Sequence, residues 1–244
     1  MTTQAYSLAS LCLNPQIWSR NTSSANKKSP AEHPSSTSLD YLQVRFGQRT
    51  FDAEGLEKPG PYFSRRITWP KLGNSGVTIG RGYDMGQRRP EQVFRELTHA
   101  GMNEDDARFL SRGALTRGTA AGEWVAANQF HAPVMPLDVQ KNLFEKVTTP
   151  EMIRDIKRIF NKPETVNAYG HASWEHLSQA AQELVFDLRY RGDYTPTTRR
   201  RIQSLLVNQD YEGLRAVIND SRYWRSLGVP EARIKERQMM AQCL

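Results

Sequence analysis

Two short runs hold the residue types that could do chemistry. One is Asp52-Ala53-Glu54-Gly55-Leu56, and the other is Gly76-Val77-Thr78-Ile79-Gly80-Arg81-Gly82-Tyr83-Asp84. A glutamate and an aspartate separated by a glycine-rich turn suit glycoside hydrolysis. That reaction needs one carboxyl held protonated, to give a proton to the leaving oxygen, and a second, ionised one that attacks the sugar or activates a water. A helix end is a rigid, partly buried place for the acid, where lost solvation raises its pKa. The glycines at 76, 80 and 82 leave room for tight turns or for close approach by a ligand. Phosphate binding is disfavoured, because the run lacks a Gly-Lys-Ser/Thr ending and no βαβ unit surrounds it. Spacing alone leaves a second reading open, in which Glu54 and Asp84 are ordinary surface carboxylates.

The elements that must position these residues are mostly helical. Leu39, Leu42 and Phe46 fall at i, i+3 and i+7, which predicts a first helix running towards Glu54. Between Gly60 and Gly82, short β-prone runs (Tyr62-Phe63, Ile67-Thr68-Trp69, Val77-Thr78-Ile79) separated by Pro and Gly predict a small hairpin or three-stranded sheet. Pro90 suits a first helical position, with Gly101 as the stop, and Asn103 suits the cap of the next helix. Apolar stripes follow over Leu137 to Val147, Met152 to Phe160 and Leu177 to Leu188, the last ending at Gly192. Further stripes run from Ile202 and Leu214, and a last helix starts near Pro230. The expected class is α+β, mainly α, with a small β element after the first helix. From Asn21 to Ser38 the only apolar residues are alanines, so residues 1–38 read as a flexible segment and 39–244 as the folded domain.

Glu54-Gly55-Leu56 followed by Thr78-Ile79-Gly80-Arg81-Gly82 resembles the Glu-Gly…Thr-Ile-Gly-x-Gly signature of phage-type lysozymes. The extension to Tyr83-Asp84 is similar to the pesticin-type muramidase domains of bacterial toxins. Downstream, Leu137 to Val147 resembles the helix after the cleft in those enzymes, and Leu177 to Gly192 their central core helix. Asp220-Ser221-Arg222-Tyr223-Trp224, with Arg233 and Arg237, resembles their C-terminal arginine-rich part. The resemblance thus covers about Leu39 to Leu244 in matched order. It implies a lysozyme-like helical bundle with a cleft between two lobes, and cleavage of the β-1,4 bond between N-acetylmuramic acid and N-acetylglucosamine.

The chain departs from the phage pattern in one respect. Phage lysozymes carry an aspartate between the glutamate and the threonine, but Gly55 to Val77 holds no Asp, and its only acid is Glu57. The pesticin-type arrangement puts the aspartate after the threonine, where Asp84 stands. The resemblance therefore implies Glu54 as general acid, Thr78 as a residue orienting the attacking water and Asp84 as the second carboxylate, with Glu57 as the fallback acid. A water-mediated route implies inversion and a carboxylate separation of about 6.5–9.5 Å.

Other residues have competing readings. Trp69, Tyr62 and Tyr83 could stack on sugar rings or be plain core. Arg81 could pair with the lactyl or peptide carboxylates of peptidoglycan or be a solvated loop arginine. Arg199-Arg200-Arg201 reads as a solvated helix start, and Trp174 and Trp224 read as core. His171 and His176 share no helical face, so no metal is expected, and no cofactor is implied.

Composition sets the outer bounds. The 244 residues carry 33 Lys+Arg against 26 Asp+Glu, a formal charge of +7 that points to an anionic partner such as a cell-wall polymer. No apolar run is long enough to span a bilayer, so a soluble protein, monomeric, is expected. With only Cys12 and Cys243, a fold without disulfides is expected. The apolar stretch Tyr6 to Leu13 lacks a preceding Lys or Arg and ends at Asn14-Pro15, unlike a secretory signal. The expectation is a protein made in the cytoplasm and delivered to the periplasm or wall of a target bacterium. It would be an antibacterial toxin or secretion-system effector, with a cognate immunity protein plugging the cleft and residues 1–38 contacting a secretion apparatus or chaperone. Alternatives are a phage endolysin, a lytic transglycosylase, a catalytically dead scaffold, or a basic nucleic-acid-binding module. The last lacks any helix-turn-helix, RNA-binding or zinc signature, so no specific nucleic acid is expected.

Overall fold

A computed structural model describes residues 42–60, 63–71 and 73–244. The chain divides into two compact units, with the boundary between Ile153 and Arg154. All the candidate chemistry lies in the first.

The first helix, α1, is Gln48–Ala53, shorter than the stripe from Leu39 predicted. Gly47 precedes it at φ 72, a left-handed conformation through which a right-handed helix cannot pass, so Leu42 and Phe46 lie outside it. Leu39 falls outside the described residues. Two turns are too few for a helix to be stable alone. Local bonds supply part of the difference: Gln48 accepts from the Val44 N–H at 2.8 Å and donates to the Leu42 carbonyl at 3.0 Å. Packing supplies the rest, since Phe51 is fully buried with its ring edge-on to Phe144, centroids 5.0 Å apart.

The β element is an antiparallel pair, β1 (Thr78–Ile79) and β2 (Tyr83–Asp84), with Thr78 opposite Asp84 and Ile79 opposite Tyr83. In place of a third strand there is one bridge, Thr68 to Thr78, through reciprocal backbone bonds of 2.8 and 2.9 Å. Pro70 follows two residues on, and a proline cannot donate to a ladder. Gly80 and Gly82 turn the hairpin at φ 65 and 86, values that favour glycine.

The helices α2 (Pro90–His99) and α3 (Glu104–Ser111) follow and pack together. As expected, Pro90 opens α2 and Asn103 caps α3, accepting from the Asp106 N–H at 2.9 Å. Helix α4 (Thr119–Asn128) was not signalled by a stripe, because its alanines fall on every side. After α5 (Leu137–Leu143) comes a π-helical turn, Phe144–Thr148, and then α6 (Thr149–Phe160), in which the boundary falls. The first unit's core gathers Val77, Ile79, Met85, Leu97, Leu110 and Leu143. Burying each such side chain contributes about 1.5–3 kcal/mol.

The second unit holds α7 (Pro163–Tyr169), α8 (Gln179–Arg191), α9 (Pro196–Val207), α10 (Tyr211–Asn219), α11 (Ser221–Ser226) and α12 (Glu231–Ala241). Ser178 caps α8 and Gly192 ends it at φ 89, as its stop signal predicts. Trp174 and Trp224 are buried, in line with the core reading. Charges are buried beside Trp224, whose ring lies 5.3 Å from the Arg237 guanidinium. Asp187 (1% exposed) pairs with Arg233 at 2.6 Å and with Arg237 (0% exposed) at 2.7 Å. Arg237 also reaches Asp193 at 2.5 Å, and Arg191 holds the other Asp193 oxygen at 2.6 Å. Cys243 is disulfide-bonded, which corrects the expectation of a chain without disulfides; Cys12 lies outside the described residues.

Removing one partner of such a cluster strands the others without compensation. Arg237→Ala is expected to lower stability by about 3–5 kcal/mol, read as a fall in the urea midpoint. A midpoint within experimental scatter of wild type would contradict this account of the second unit's core.

Candidate active site

Glu54 caps the C-terminus of α1, at φ −91 and ψ 4, and is half-buried. The segment after it is tied to the hairpin turn by Ser64. The Ser64 N–H donates to the Leu56 carbonyl at 3.0 Å, its hydroxyl accepts from the Leu56 N–H at 2.6 Å, and its carbonyl accepts from the Gly80 N–H at 2.7 Å.

Arg81 makes the second tie. It is 5% exposed, donates from Nη1 to the Phe51 carbonyl at 2.9 Å and from Nη2 to Glu57 at 2.8 Å, and lies 4.2 Å over the Phe51 ring. Gly55 exists to admit it: a Cβ there would stand 1.9 Å from Arg81 Nη1. Neither sequence reading of Arg81 holds, since it is neither a solvated loop residue nor open to a wall carboxylate. Its partners stand 30 and 24 positions away, a relation no local pattern reports.

Glu57 is similarly spent. One oxygen accepts from Arg81 and, at 2.7 Å, from Gln140 Nε2, and the other lies 3.1 Å from Arg65 Nε. A proton donor must be able to offer an O–H to the substrate, so the fallback acid is badly placed.

Thr78 and Asp84 are brought together. As register partners they project on the same face of the ladder. Both engage Gly76: the Thr78 hydroxyl donates to its carbonyl at 3.2 Å, and the Asp84 carboxylate accepts from its N–H at 3.1 Å. Asp84 accepts a shorter bond, 2.7 Å, from the Gly86 N–H, yet the residue stays exposed. The glycines at 76 and 86 meet backbone to backbone; a Cβ on Gly76 would come 2.3 Å from the Gly86 Cα. Asp84 therefore rests on close-packed main chain, both glycines being buried.

Sequence reasoning missed Arg88, Glu96 and Glu151. Tyr83 is 1% exposed, donates its hydroxyl to Glu96 at 2.5 Å and lies 4.5 Å beneath the Arg88 guanidinium, so it belongs to the core and not to a sugar platform. Burial, reinforced by the Glu96 bond, pushes its phenol far above the ordinary tyrosine value. Arg88 also reaches Glu151 at 2.5 Å and the Asp84 carbonyl at 3.1 Å, anchoring β2 to α2 and α6. Burial works against its charge, but the Glu151 bond and the surrounding anions raise its pKa above the usual arginine value. Trp69 is half-buried and lies against Gly122 of α4, where a Cβ would come 2.3 Å from the ring. Its indole N–H is buried with no hydrogen-bond partner. Tyr62 falls outside the described residues.

In the second unit, Arg200 and Arg201 are exposed as expected, with Arg201 paired to Asp220 at 3.1 Å. His171 and His176 share no helix, yet both line a cavity of about 220 Å³ with Ser173, Leu177, Val207 and Gln209. Among the described residues no group of three or more His, Cys, Asp or Glu could hold a metal ion, and no helix is long and apolar enough to cross a membrane.

The chain belongs to the family described as a domain of unknown function (DUF8812), whose model matches residues 47–238. That span starts at the glycine preceding α1 and includes every described candidate. No curated protein matches the chain.

The Gly55–Arg81 contact predicts a non-additive pair. Arg81→Ala and Gly55→Ala should each lower stability by about 1–3 kcal/mol, and the double variant should cost little more than Arg81→Ala alone. Full additivity in urea denaturation would show that the two do not act through one contact.

Proposed function

We propose that this chain is a peptidoglycan hydrolase, an N-acetylmuramidase cleaving the β-1,4 bond between N-acetylmuramic acid and N-acetylglucosamine. The observation that carries the reading is the cross-strand pair Thr78 and Asp84, on one face of a hairpin whose turn is tied to the segment carrying Glu54. The resemblance to phage-type and pesticin-type enzymes, in matched order, adds the substrate.

The hydrogen bonds suggest how the water is held. The Thr78 proton goes to the Gly76 carbonyl, so the hydroxyl offers lone pairs only. An ionised Asp84 likewise only accepts. A water giving one hydrogen to each keeps an oxygen lone pair for the anomeric carbon. In the reaction, Glu54 delivers its proton to the glycosidic oxygen as the C1–O bond breaks. The water oxygen bonds to C1 from the opposite face, its proton passes to Asp84, and the configuration inverts.

The biological setting we favour is an antibacterial toxin, delivered by a secretion system to the wall of a target cell and neutralised by an immunity protein. The excess of positive charge suits an anionic wall, and a disulfide-bonded Cys243 suits an oxidising compartment. Residues 1–38, assigned to the delivery contact, lie outside the described residues.

Muropeptide analysis of digested sacculi tests the reading. Wild type should release products with reducing muramic ends. Glu54→Gln and Asp84→Asn should each cut the rate by about 100- to 10,000-fold with unchanged thermal unfolding. Anhydro-muramic ends would transfer the assignment to a lytic transglycosylase. Undiminished cleavage by Glu54→Gln would remove that residue from the role.

A further inference from the structure

The loop Gly113–Gly118 runs beside the hairpin base and takes no part in the mechanism above. Its backbone is bonded there at three points: the Leu115 N–H donates to the Met85 carbonyl at 3.1 Å, the Gly118 N–H to the Ser75 carbonyl at 3.0 Å, and Arg117 bridges Gly76. Two of its side chains are placed against ordinary folding preference. Leu115 is 54% exposed and adopts φ 61, a left-handed conformation disfavoured for leucine, with no burial to compensate. Arg117 is exposed, and its guanidinium has no ion pair or hydrogen bond among the described residues. Neighbouring arginines 81 and 88 are both paired with half-buried carboxylates.

Arg117 also stands close to the proposed chemistry. A side chain placed on Gly86 would meet Arg117 Cγ at 2.8 Å and Asp84 Oδ1 at 3.0 Å, so both residues cover the same buried glycine. The remaining three bonds of the exposed arginine can carry its charge beyond the buried glycine into the solvent beside the exposed Asp84, where the proposed substrate would lie. Its planar fork matches a carboxylate.

We propose that Arg117 is a specificity-determining residue that binds a carboxylate carried by the glycan substrate next to the scissile bond, with Leu115 as its apolar neighbour. The ligand class is an acidic sugar substituent, such as a lactyl or peptide carboxylate, in contrast to an uncharged amino-sugar polymer. This rests on the muramidase reading, and the experiment separates the two.

Purified sacculi are digested before and after carbodiimide amidation of their carboxylates, with wild type, Arg117→Gln and Arg117→Lys. Wild type should prefer the untreated wall by about three- to tenfold in kcat/KM, through KM. Arg117→Gln should lose that preference, converging with wild type on the amidated wall, and Arg117→Lys should restore part of it. Unchanged thermal unfolding checks that the exposed substitution leaves the fold intact. If Arg117→Gln keeps the full preference, the proposal fails while the muramidase reading stands. If wild type releases no muropeptide from either wall, both fail.

Discussion

A buried guanidinium decides where everything else at this site can be. Arg81 sits in the turn of a two-residue hairpin too short to be stable in water by itself. Its side chain joins that turn to the Phe51 carbonyl of an equally marginal helix, α1, and to Glu57 in the loop beyond. Each element is held in place by the other. The aromatic face of Phe51 completes the enclosure, so the charge is satisfied on its edges by oxygen and on its face by the ring. Burying an arginine is tolerable only when its donors find such partners, and here the Phe51 carbonyl and Glu57 come from the segment that must be aligned with the hairpin. The glycine that follows Glu54 is part of the same constraint, because any side chain there would occupy the guanidinium's position.

The hairpin's other end depends on a different economy. There, no side chain fills the space between the strands; two glycine backbones touch, and a carboxylate spans their N–H groups. The bonds that fix the hairpin also orient the groups we assign to the water. Thr78 must surrender its proton to Gly76, and Asp84 must face the same residue. A purely architectural role would be served by an asparagine or a serine at 84 as acceptors, without a net charge. A carboxylate that stays exposed while bonded to two buried glycine N–H groups has capacity to accept further hydrogens, and this excess is the part architecture does not use.

The sequence disclosed what depends on neighbours along the chain. Helix starts at Pro90 and Asn103 and the stop at Gly192 follow from caps and left-handed glycines, which act within a turn. The same glycine rule, applied to Gly47, would have shortened α1; the stripe through Leu39, Leu42 and Phe46 outweighed it wrongly. Helix α4 escaped because alanine buries equally well on any side. What stayed hidden was the pairing of charges over distance. Arg81 read as a loop residue, and Asp187 and Asp193 gave no sign of the two arginines that meet them 44 to 50 positions later. Tyr83 looked like a platform for sugar because its phenol could be polar on a surface, whereas Glu96 supplies that polarity inside.

The choice of proton donor follows from this accounting of partners more than from any motif. Glu57 stands only three residues from Glu54, and a helix ending one turn later would have made it the natural candidate. Gln48–Ala53 ends where Glu54 begins, however, and Glu57 is paired with two arginines and bonded to a glutamine. Its removal would release Arg81 and loosen the hairpin turn, so loss of activity in a Glu57 variant would accompany loss of stability. The backbone on either side of Glu54 is fixed by Ser64 and by the Gly55–Arg81 contact, neither of which uses its carboxyl. In the proposed reaction the general acid changes its charge in each turnover, and Glu57 could not do so without releasing the arginines that hold the hairpin turn.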